Sequence, residues 1–357
     1  MAGEASGDQL GAEWAQALRQ THPDAQISFC GGPQMESVIQ TTSLIPLDRL
    51  AYMGFAEVLM HLGAIRENFK VVKAHLRVHR PDIVLMVDYP GFNMRLARWI
   101  HRQGWRQEGM KVLQLVAPQV WAWKSGRVKA LAAHYDHVYP ILPFEADILT
   151  RAGVATSYFG HPALARIPKV PMANPREGLA LLPGSRWQEL KRHVGIWSQV
   201  AIELGVTAKW IRPAHWSERD YRALLEQYAP QGAHWPIVEG VSHVRQAAAA
   251  LVASGTATLE CALHGTPMVV AYRTSPISYA IGKRVIKVPY ISLVNLILDR
   301  RAVEERIQDD CHAARLVQDL HDAQSGNATW FQTVVELRDA LGSELAMKEI
   351  AKHAVAS

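Results

Sequence analysis

The chain has 357 residues, 49% of them hydrophobic and 20% charged, a balance that excludes a disordered or fibrous protein and favours two folded domains. Its three cysteines, Cys30, Cys261 and Cys311, lie outside any zinc-ligand spacing and no apolar run is long enough for a membrane span, so we expect a protein of the reducing cytoplasm. The formal charge of +5 and the pI near 9.1 favour anionic partners, but not nucleic acid, because the Lys and Arg residues are dispersed and form no recognition module.

Short apolar runs alternate with amphipathic stretches through the first 160 residues. The runs are AQISFCGG at 25–32, DIVLMVDYPGFN at 82–93, KVLQLVAP at 111–118 and HVYPILPF at 137–144. This alternation predicts a parallel sheet with helices on both faces. We assign residues 1–163 to an N-terminal Rossmann-like domain and expect its ligand chemistry at the loops that leave the carboxyl ends of the strands.

A long amphipathic helix is predicted between residues 52 and 80. Its core face consists of Leu62, Ile65, Phe69, Val72 and Leu76. An apolar cluster near its start contains Phe55, Val58, Leu59 and Met60, and the basic residues along it are Arg66, Lys70, Lys73, Arg77 and Arg80. Apolar residues beside basic ones are typical of a protein that rests on an anionic bilayer, while a solvated basic face is the commoner explanation, and the residues alone leave both open.

Asp88 ends a buried strand, after which Pro90 and Gly91 break the chain. A carboxylate at the carboxyl end of a parallel strand is well placed to act as a general base. The alternative is a cap for the helix that starts near Phe92, although Asn93 is the better candidate for that cap.

Two tryptophans, Trp121 and Trp123, lie beside Lys124 and Arg127. Their spacing puts both rings on one face of an extended segment, where they could stack on a sugar or insert between acyl chains. A role as core aromatics remains equally open.

A Pro-rich linker at 160–178 precedes a second βαβ pattern. We assign residues 164–330 to a C-terminal Rossmann-like domain, and expect a ligand in the cleft between the two domains. The helical end at 331–357 could cross back to the first domain or pair with another subunit.

Two strand-to-helix turns in the second half are candidate phosphate sites. PGSR at 183–186 follows the strand LALL, and SGT at 254–256 follows ALVA, with Glu260 one turn into the next helix. Free N–H groups at helix starts can hold a phosphate, and Arg186 can add a charge-assisted bond. The alternatives are a plain turn with a surface arginine and ordinary helix capping. We find no DxD-type motif, so we expect a diphosphate held without a metal or cofactor.

Together these motifs resemble one family, lipid-A-disaccharide synthase, an inverting glycosyltransferase of the GT-B fold. The matching segments span nearly the whole chain and are GEASGD (3–8), MGFAEVL (53–59), VDYPGFN (87–93), VWAW with Arg127, LPFE (142–145), GHP (160–162), LPGSR (182–186), ASGTATLE (253–260), PMVVAYR (267–273) and SLVNL (292–296). The resemblance implies two doubly wound Rossmann-like domains that face a central cleft, followed by a helical C-terminus.

The resemblance implies that UDP-2,3-diacylglucosamine and 2,3-diacylglucosamine 1-phosphate (lipid X) are joined into a β-1,6-linked disaccharide with release of UDP. Asp88 aligns with the family's proposed base, and Arg186 stabilises the leaving diphosphate. The implied UDP-binding residues are Gly184, Ser185, Arg186, Ser254, Gly255, Thr256, Glu260 and Asn295. The implied acceptor-side residues are Glu4, Ser6, Asp8, Met53, Glu57, Asn93, Trp121, Trp123 and Arg127.

The resemblance also bears on location. The apolar cluster after Met53 matches the family's membrane-contact region, here represented by Phe55, Val58, Leu59 and Leu62. It implies a cytoplasmic protein that is peripheral on the inner membrane, and a homodimer is left open.

Three residues depart from the family pattern. Gly91 stands where many members carry a second acidic residue, Ala117 replaces a common serine, and Val294 replaces a common proline. Because Asp88 and Arg186 are intact, these changes affect fine geometry and leave the reaction class in place.

Two other functions compete with this interpretation. One is a different GT-B enzyme acting on UDP-sugars, such as a lipid-acceptor N-acetylglucosaminyltransferase or a 2-epimerase. The other is a non-catalytic UDP-sugar-binding protein of the membrane surface. Formation of the disaccharide from the two lipid substrates would distinguish lipid-A-disaccharide synthase activity from both alternatives.

The chain opens on the loop GEASGD with only Met1 and Ala2 before it. Family members place an apolar strand there, and a sheet without that strand would expose its neighbours' edges. We therefore expect that the true start lies upstream, or that something else in the fold replaces the strand.

Overall fold

The computed structural model describes residues 1–50, 62–121, 126–169, 176–285 and 288–356. The chain forms two compact units. The first unit is Met1–Pro162 together with Gly342–Ser357, and the second is Ala163–Leu341. Residues 331–341 thus lie in the second unit and Gly342–Ser357 in the first. The functions assigned to the two domains stay predictions.

Helices and strands alternate through both units. The helices are α1 (Ala5–Thr21), α2 (Pro33–Ile39), α3 (Leu62–His79), α4 (Pro90–Arg102), α5 (Arg127–His134), α6 (Pro143–Arg151), α7 (Ala163–Arg166), α8 (Trp187–Leu204), α9 (Glu218–Tyr228), α10 (Thr256–Leu263), α11 (Pro276–Val285), α12 (Leu293–Leu298), α13 (Ala313–Ser325), α14 (Asn327–Leu341) and α15 (Ala346–Ala356). The strands are β1 (Ile83–Val87), β2 (Lys111–Leu115), β3 (His137–Tyr139), β4 (Leu179–Leu182), β5 (Ala208–Arg212), β6 (Ile237–Glu239), β7 (Ala249–Ala253), β8 (Met268–Tyr272) and β9 (Glu304–Ile307).

Local sequence explains several of these boundaries. Ser217 and Ser292 cap α9 and α12, because each side chain accepts a backbone N–H three residues on. Pro143 begins α6, where its missing N–H removes no helical bond. Gly205 ends α8 with a left-handed φ of 64°. No helix within the described ranges combines the length and the apolarity needed to cross a bilayer.

The first unit contains a parallel sheet with the order β1-β2-β3. One of its faces is covered by α1 and by α15, whose Ile350, Ala351 and Ala354 pack in the same core cluster as Trp14. The hydroxyl of Tyr139 on β3 makes a 2.9 Å hydrogen bond with Nδ1 of His353. The last helix therefore packs in the first unit.

The opening residues lie along β1. The Val87 N–H donates to the Met1 carbonyl, and the Ala2 N–H donates to the Cys30 carbonyl, so Met1 and Ala2 form a two-residue parallel bridge beside β1. The strand that we predicted at 25–32 does not form a ladder, and its one bridge joins Gly31 to Pro46.

A groove of about 1030 Å³ continues from this bridge. It lies between β1 and residues 26–30, and the side chains of Trp14, Val72 and Leu76 contribute to its lining. The main chain of Ile83 and Leu85 is directed away from β2, because alternate residues of a parallel strand direct their N–H and C=O groups to the same side and Val84 and Met86 pair with β2. The Leu85 carbonyl accepts a hydrogen bond from the Met1 amino group at 2.8 Å.

The second unit contains a six-stranded parallel sheet with the order β6-β5-β4-β7-β8-β9. In terms of the unit's own strands this is 3-2-1-4-5-6, the doubly wound order of nucleotide-binding folds. Every residue of β4 and β7 is buried, which explains why both strands read as unbroken apolar runs. Leu181 packs on one side of the sheet in a cluster with residues of α8, and Leu182 packs on the other side with residues of α10.

Candidate active site

The two predicted phosphate turns are neighbours in space. β4 pairs directly with β7, with Leu182 opposite Val252, so the turns at 183–186 and 254–256 leave adjacent strands at the same edge of the sheet. This is also the point at which the strand order reverses, where doubly wound folds bind their ligands. The turns therefore lie where a nucleotide diphosphate is expected.

The first turn already holds a carboxylate. Oε2 of Glu189, in the first turn of α8, accepts hydrogen bonds from the backbone N–H groups of Ser185 (3.1 Å) and Arg186 (3.2 Å). Its Oε1 accepts from the Tyr272 hydroxyl at 3.1 Å. A Cβ added to Gly184, whose φ is +111°, would stand 2.6 Å from Glu189 Oε2, so only glycine fits there. The turn binds an anionic group, but an internal one.

His193 ties the same turn to the end of β8. It is 1% exposed, its Nδ1 bonds with the Pro183 carbonyl at 2.8 Å, and its Nε2 accepts the Arg273 N–H at 2.8 Å. These partners require a neutral ring with the proton on Nδ1. Burial lowers the pKa of His193 to about 4, which agrees with that requirement. Neither Glu189 nor His193 was a sequence candidate, although both lie on one face of α8 within two turns of Arg186.

The second turn is more open. Gly255 and Thr256 are exposed, and α10 begins at Thr256 with no side-chain hydrogen bond at its N-cap. The Ser254 hydroxyl donates to the Ile291 carbonyl at 2.7 Å, so this side chain braces the loop. The N–H groups at the start of α10 are thus better placed to hold a phosphate than those occupied by Glu189.

Glu260 lies on α10, one turn beyond the open helix start. Burial raises the pKa of its carboxyl, and Arg166, 4.0 Å away, opposes the rise. About a third of the side chain is exposed. A partly exposed carboxylate at this position can accept hydrogen bonds from a diol.

Asn295 corrects the expectation of direct nucleotide contact. Its side chain is buried, its Nδ2 donates to Val303 O and Glu305 Oε1, and its Oδ1 accepts the N–H groups of Ala302 and Val303. Both donors and both acceptor positions are filled, which leaves no capacity for a ligand. Asn295 braces the loop before β9.

Asp88 sits in a strained turn of the first unit. Asp88 and Tyr89 have φ angles of +45° and +48°, and Val116, which follows β2, has φ +67°. Left-handed backbone is rare outside glycine and costly for a β-branched residue, and such strain clusters at functional sites. Burial raises the pKa of Asp88, and a hydrogen bond from the Tyr89 backbone opposes the rise. The group is suited to take a proton.

Two buried amides hold this turn. Asn93 Nδ2 donates to the Asp88 carbonyl at 2.7 Å, and Gln114 Nε2 donates to the same carbonyl at 3.2 Å. Asn93 is fully buried, and its place among the acceptor-side residues stays a prediction. Its interaction is with the backbone that presents Asp88.

Trp121 meets a carboxylate that the sequence analysis did not select. The indole Nε1 donates to Glu145 Oε1 at 2.8 Å, and the ring stands edge-on to Phe144 at 5.0 Å. Glu145 is 2% exposed, and burial, with a smaller contribution from Asp88, raises its pKa to about 7. The signal for it was the LPFE segment, which by itself assigned no role.

Asp8 lies in the first turn of α1 and not in a loop, and its side chain is buried, contrary to the prediction. Asp8 is 2% exposed, and its carboxylate accepts the N–H groups of Gly32, Gln34 and Met35. It caps the start of α2 and is not available on an acceptor surface. Ser6 is exposed and Glu4 and Arg127 are partly exposed, so their acceptor-side roles stay predictions.

Several candidates lie outside the described residues. These are Met53, Phe55, Glu57, Val58, Leu59 and Trp123. Leu62 begins α3. Within the described ranges no group of three or more His, Cys, Asp or Glu side chains is arranged to hold a metal ion.

Comparison with solved structures defines the class of fold. The structure of S. aureus MnaA with UDP aligns over 99% of this chain and 94% of its own, with a TM-score of 0.66 and 10% identity. With two parallel-sheet units and a helical C-terminus, the chain has the GT-B fold of glycosyltransferases and epimerases.

Sequence comparison defines the family. The lipid-A-disaccharide synthetase family model matches residues 1–353. The lipid-A-disaccharide synthase of Pseudomonas syringae pv. syringae is 38% identical over 337 residues, covering 90% of this chain and 86% of that protein. The one from Acidobacterium capsulatum is 35% identical over 343 residues, covering 89% and 84%. The chain belongs to the lipid-A-disaccharide synthase family, and is thus a glycosyltransferase of lipid A disaccharide synthesis.

Proposed function

We propose that the chain transfers the diacylglucosamine unit of UDP-2,3-diacylglucosamine to the 6-hydroxyl of 2,3-diacylglucosamine 1-phosphate. The observation that carries this proposal is the pairing of β4 with β7, which puts two helix-preceding turns side by side at the switch point of the second unit. A diphosphate needs such a concentration of N–H groups and positive charge.

In this proposal the open start of α10 binds the diphosphate through backbone N–H groups. The exposed guanidinium of Arg186 adds a charge-assisted bond, and Glu260 accepts the ribose hydroxyls. The Gly184–Arg186 turn presents Arg186 and does not use its own N–H groups, because Glu189 occupies two of them.

In this proposal Asp88 acts as the general base. Its carboxylate takes the proton of the 6-hydroxyl as that oxygen bonds to the anomeric carbon, and the anomeric bond to the diphosphate breaks on the opposite face, giving inversion and releasing UDP. Helix α10 and Arg186 stabilise the charge that develops on the leaving group. The raised pKa of Asp88 increases its basicity.

A membrane-surface location is part of the proposal and rests on the resemblance at 53–59. Three basic residues of α3 and the position after it contribute less to this proposal, because they contact aromatic rings of the protein itself. Lys73 and Arg77 lie over the Trp99 ring at 5.1 and 5.3 Å, and Arg80 lies over Trp105 at 4.0 Å. These charges pack on the protein's own aromatics. Sedimentation with anionic vesicles tests the location: Phe55→Ser should release the protein, whereas a variant that still sediments contradicts it.

Mass spectrometry of the product tests the reaction. The two lipid substrates should yield the disaccharide 1-phosphate with one UDP per turnover. Asp88→Asn should slow product formation by a factor of about 10²–10⁴ while UDP still binds. Asp82→Asn, which changes an exposed carboxylate just before the other end of β1, is the matched control. A wild-type protein that binds UDP and never forms disaccharide would refute the proposal.

A further inference from the structure

The acceptor-side aromatic Trp121 is held by a single buried acid. Glu145 Oε1 accepts the indole N–H at 2.8 Å, while its Oε2 accepts the Leu142 N–H at 3.3 Å. The Phe144 ring supports the indole edge-on at 5.0 Å. Trp121 itself is only partly buried. The indole is therefore anchored through its nitrogen and its edge, and part of its surface stays open.

Glu145 also interacts electrostatically with the proposed base, Asp88. Glu145 lies close enough to Asp88 for the charge on Asp88 to favour the protonated form of Glu145. Among the described residues Tyr158 also interacts with Glu145, and its pKa is raised by burial and by Glu145. Trp121 and Glu145 are joined by a hydrogen bond, and Asp88 and Glu145 follow β1 and β3 of one parallel sheet, so all three lie at the carboxyl-end side of that sheet.

We propose that Glu145 is a positioning residue that fixes the Trp121 ring as a stacking platform for the acceptor sugar beside Asp88. The inference rests on the proposed function and adds to it the residue that orients the acceptor. An aromatic face stacks on the C–H face of a pyranose ring, and a rigid, pre-oriented ring loses little entropy on binding. Since the indole N–H is committed to Glu145, stacking is the contact that remains for the acceptor.

Kinetics with each substrate varied in turn test the placement. Trp121→Phe keeps a ring and removes the N–H, so it should raise KM for the acceptor about tenfold, the value of one hydrogen bond to a charged group, and leave KM for the UDP-sugar unchanged. Glu145→Gln keeps an acceptor oxygen for the indole and should retain most of the acceptor affinity, whereas Glu145→Ala should match Trp121→Phe. Trp99→Phe, on α4, is the control and should change neither constant.

A second readout does not depend on turnover. The fluorescence of Trp121, taken as wild type minus Trp121→Phe, should titrate near pH 7 with Glu145. Glu145→Gln should abolish that titration, and Asp88→Asn should move it to lower pH, because removing the neighbouring negative charge makes Glu145 more acidic.

The outcomes separate this inference from the proposed function. Equal acceptor KM in Trp121→Phe and wild type, or a titration near pH 7 that survives in Glu145→Gln, would overturn the role of Glu145 while disaccharide formation by the wild type still stands. Absence of disaccharide from the wild type would overturn the proposed function, and the fluorescence titration would still report whether Glu145 holds Trp121.

Discussion

Acidification should destabilise the second unit through His193. In the folded chain this ring donates from Nδ1 to the Pro183 carbonyl and accepts the Arg273 N–H at Nε2. Protonation of Nε2 would place its N–H against the Arg273 N–H, so the folded state binds the proton poorly. Burial lowers the pKa of His193 from 6.5 to about 4.

The sign and size of the effect follow from proton linkage. Below pH 6.5 the unfolded chain takes up a proton that the folded chain refuses, so stability falls as the pH falls, and the loss is complete below about pH 4. Between pH 7.5 and pH 5 His193 alone should cost about 2 kcal/mol, since one pKa unit corresponds to about 1.4 kcal/mol. His264, with its pKa also lowered to about 4 by burial, should add to the loss in the wild type.

Pulse proteolysis in urea at pH 7.5 and pH 5 measures this loss of unfolding free energy, with peptides from the second unit as the readout. His193→Gln should lower stability at pH 7.5 by about 1–3 kcal/mol, because the buried Pro183 carbonyl loses its donor. The same variant should lose about 2 kcal/mol less than the wild type on going to pH 5. An identical acid loss in the two proteins would refute the assignment of the neutral, bridging ring.

Three further predictions concern other parts of the structure. Asp88→Asn should lower kcat by a factor of about 10²–10⁴, the usual contribution of a general base, with UDP affinity by calorimetry unchanged; a loss of UDP affinity would contradict the assignment. Gly184→Ala should weaken UDP binding and lower the melting temperature, since its Cβ would stand 2.6 Å from a carboxylate oxygen, whereas Gly63→Ala, with no atom within 4 Å, should be neutral or slightly stabilising. Arg306→Met should cost about 1.5–3 kcal/mol by thermal unfolding, because Asp319 loses two short hydrogen bonds to a charged group, at 2.6 and 2.7 Å, and keeps only the longer ion pair with Arg315 at 3.5 Å; a loss well below that range would show that Arg315 alone satisfies Asp319.

Local sequence patterns were enough to predict the fold and the positions of the turns. A strand such as β4 is a continuous apolar run closed by Pro and Gly, so its end could be located without tertiary information. Asp88 was selected for the same reason, as the first polar residue after such a run. These predictions depend only on neighbours in the chain.

The roles of individual polar side chains depended on distant partners. Asp8 and Asn295 belong to the family motifs GEASGD and SLVNL, which suggested ligand contacts, but their hydrogen bonds go to backbone groups of α2 and of the segment before β9. Glu189 was passed over because nothing local shows that its carboxylate folds back onto the turn before it. The apolar run at 25–32 shows the same limit, because its periodicity cannot show whether a neighbouring strand pairs with it.

The groove beside β1 should leave a signature with a period of two residues in amide exchange. The N–H groups of Val84 and Met86 are bonded to β2, whereas those of Ile83 and Leu85 are directed away from it. Neighbouring amides on one strand should therefore exchange at very different rates, slow where they face β2 and fast where they are directed away from it. The alternation, rather than the mean exchange rate, therefore reports which residues of Ile83–Met86 pair with β2.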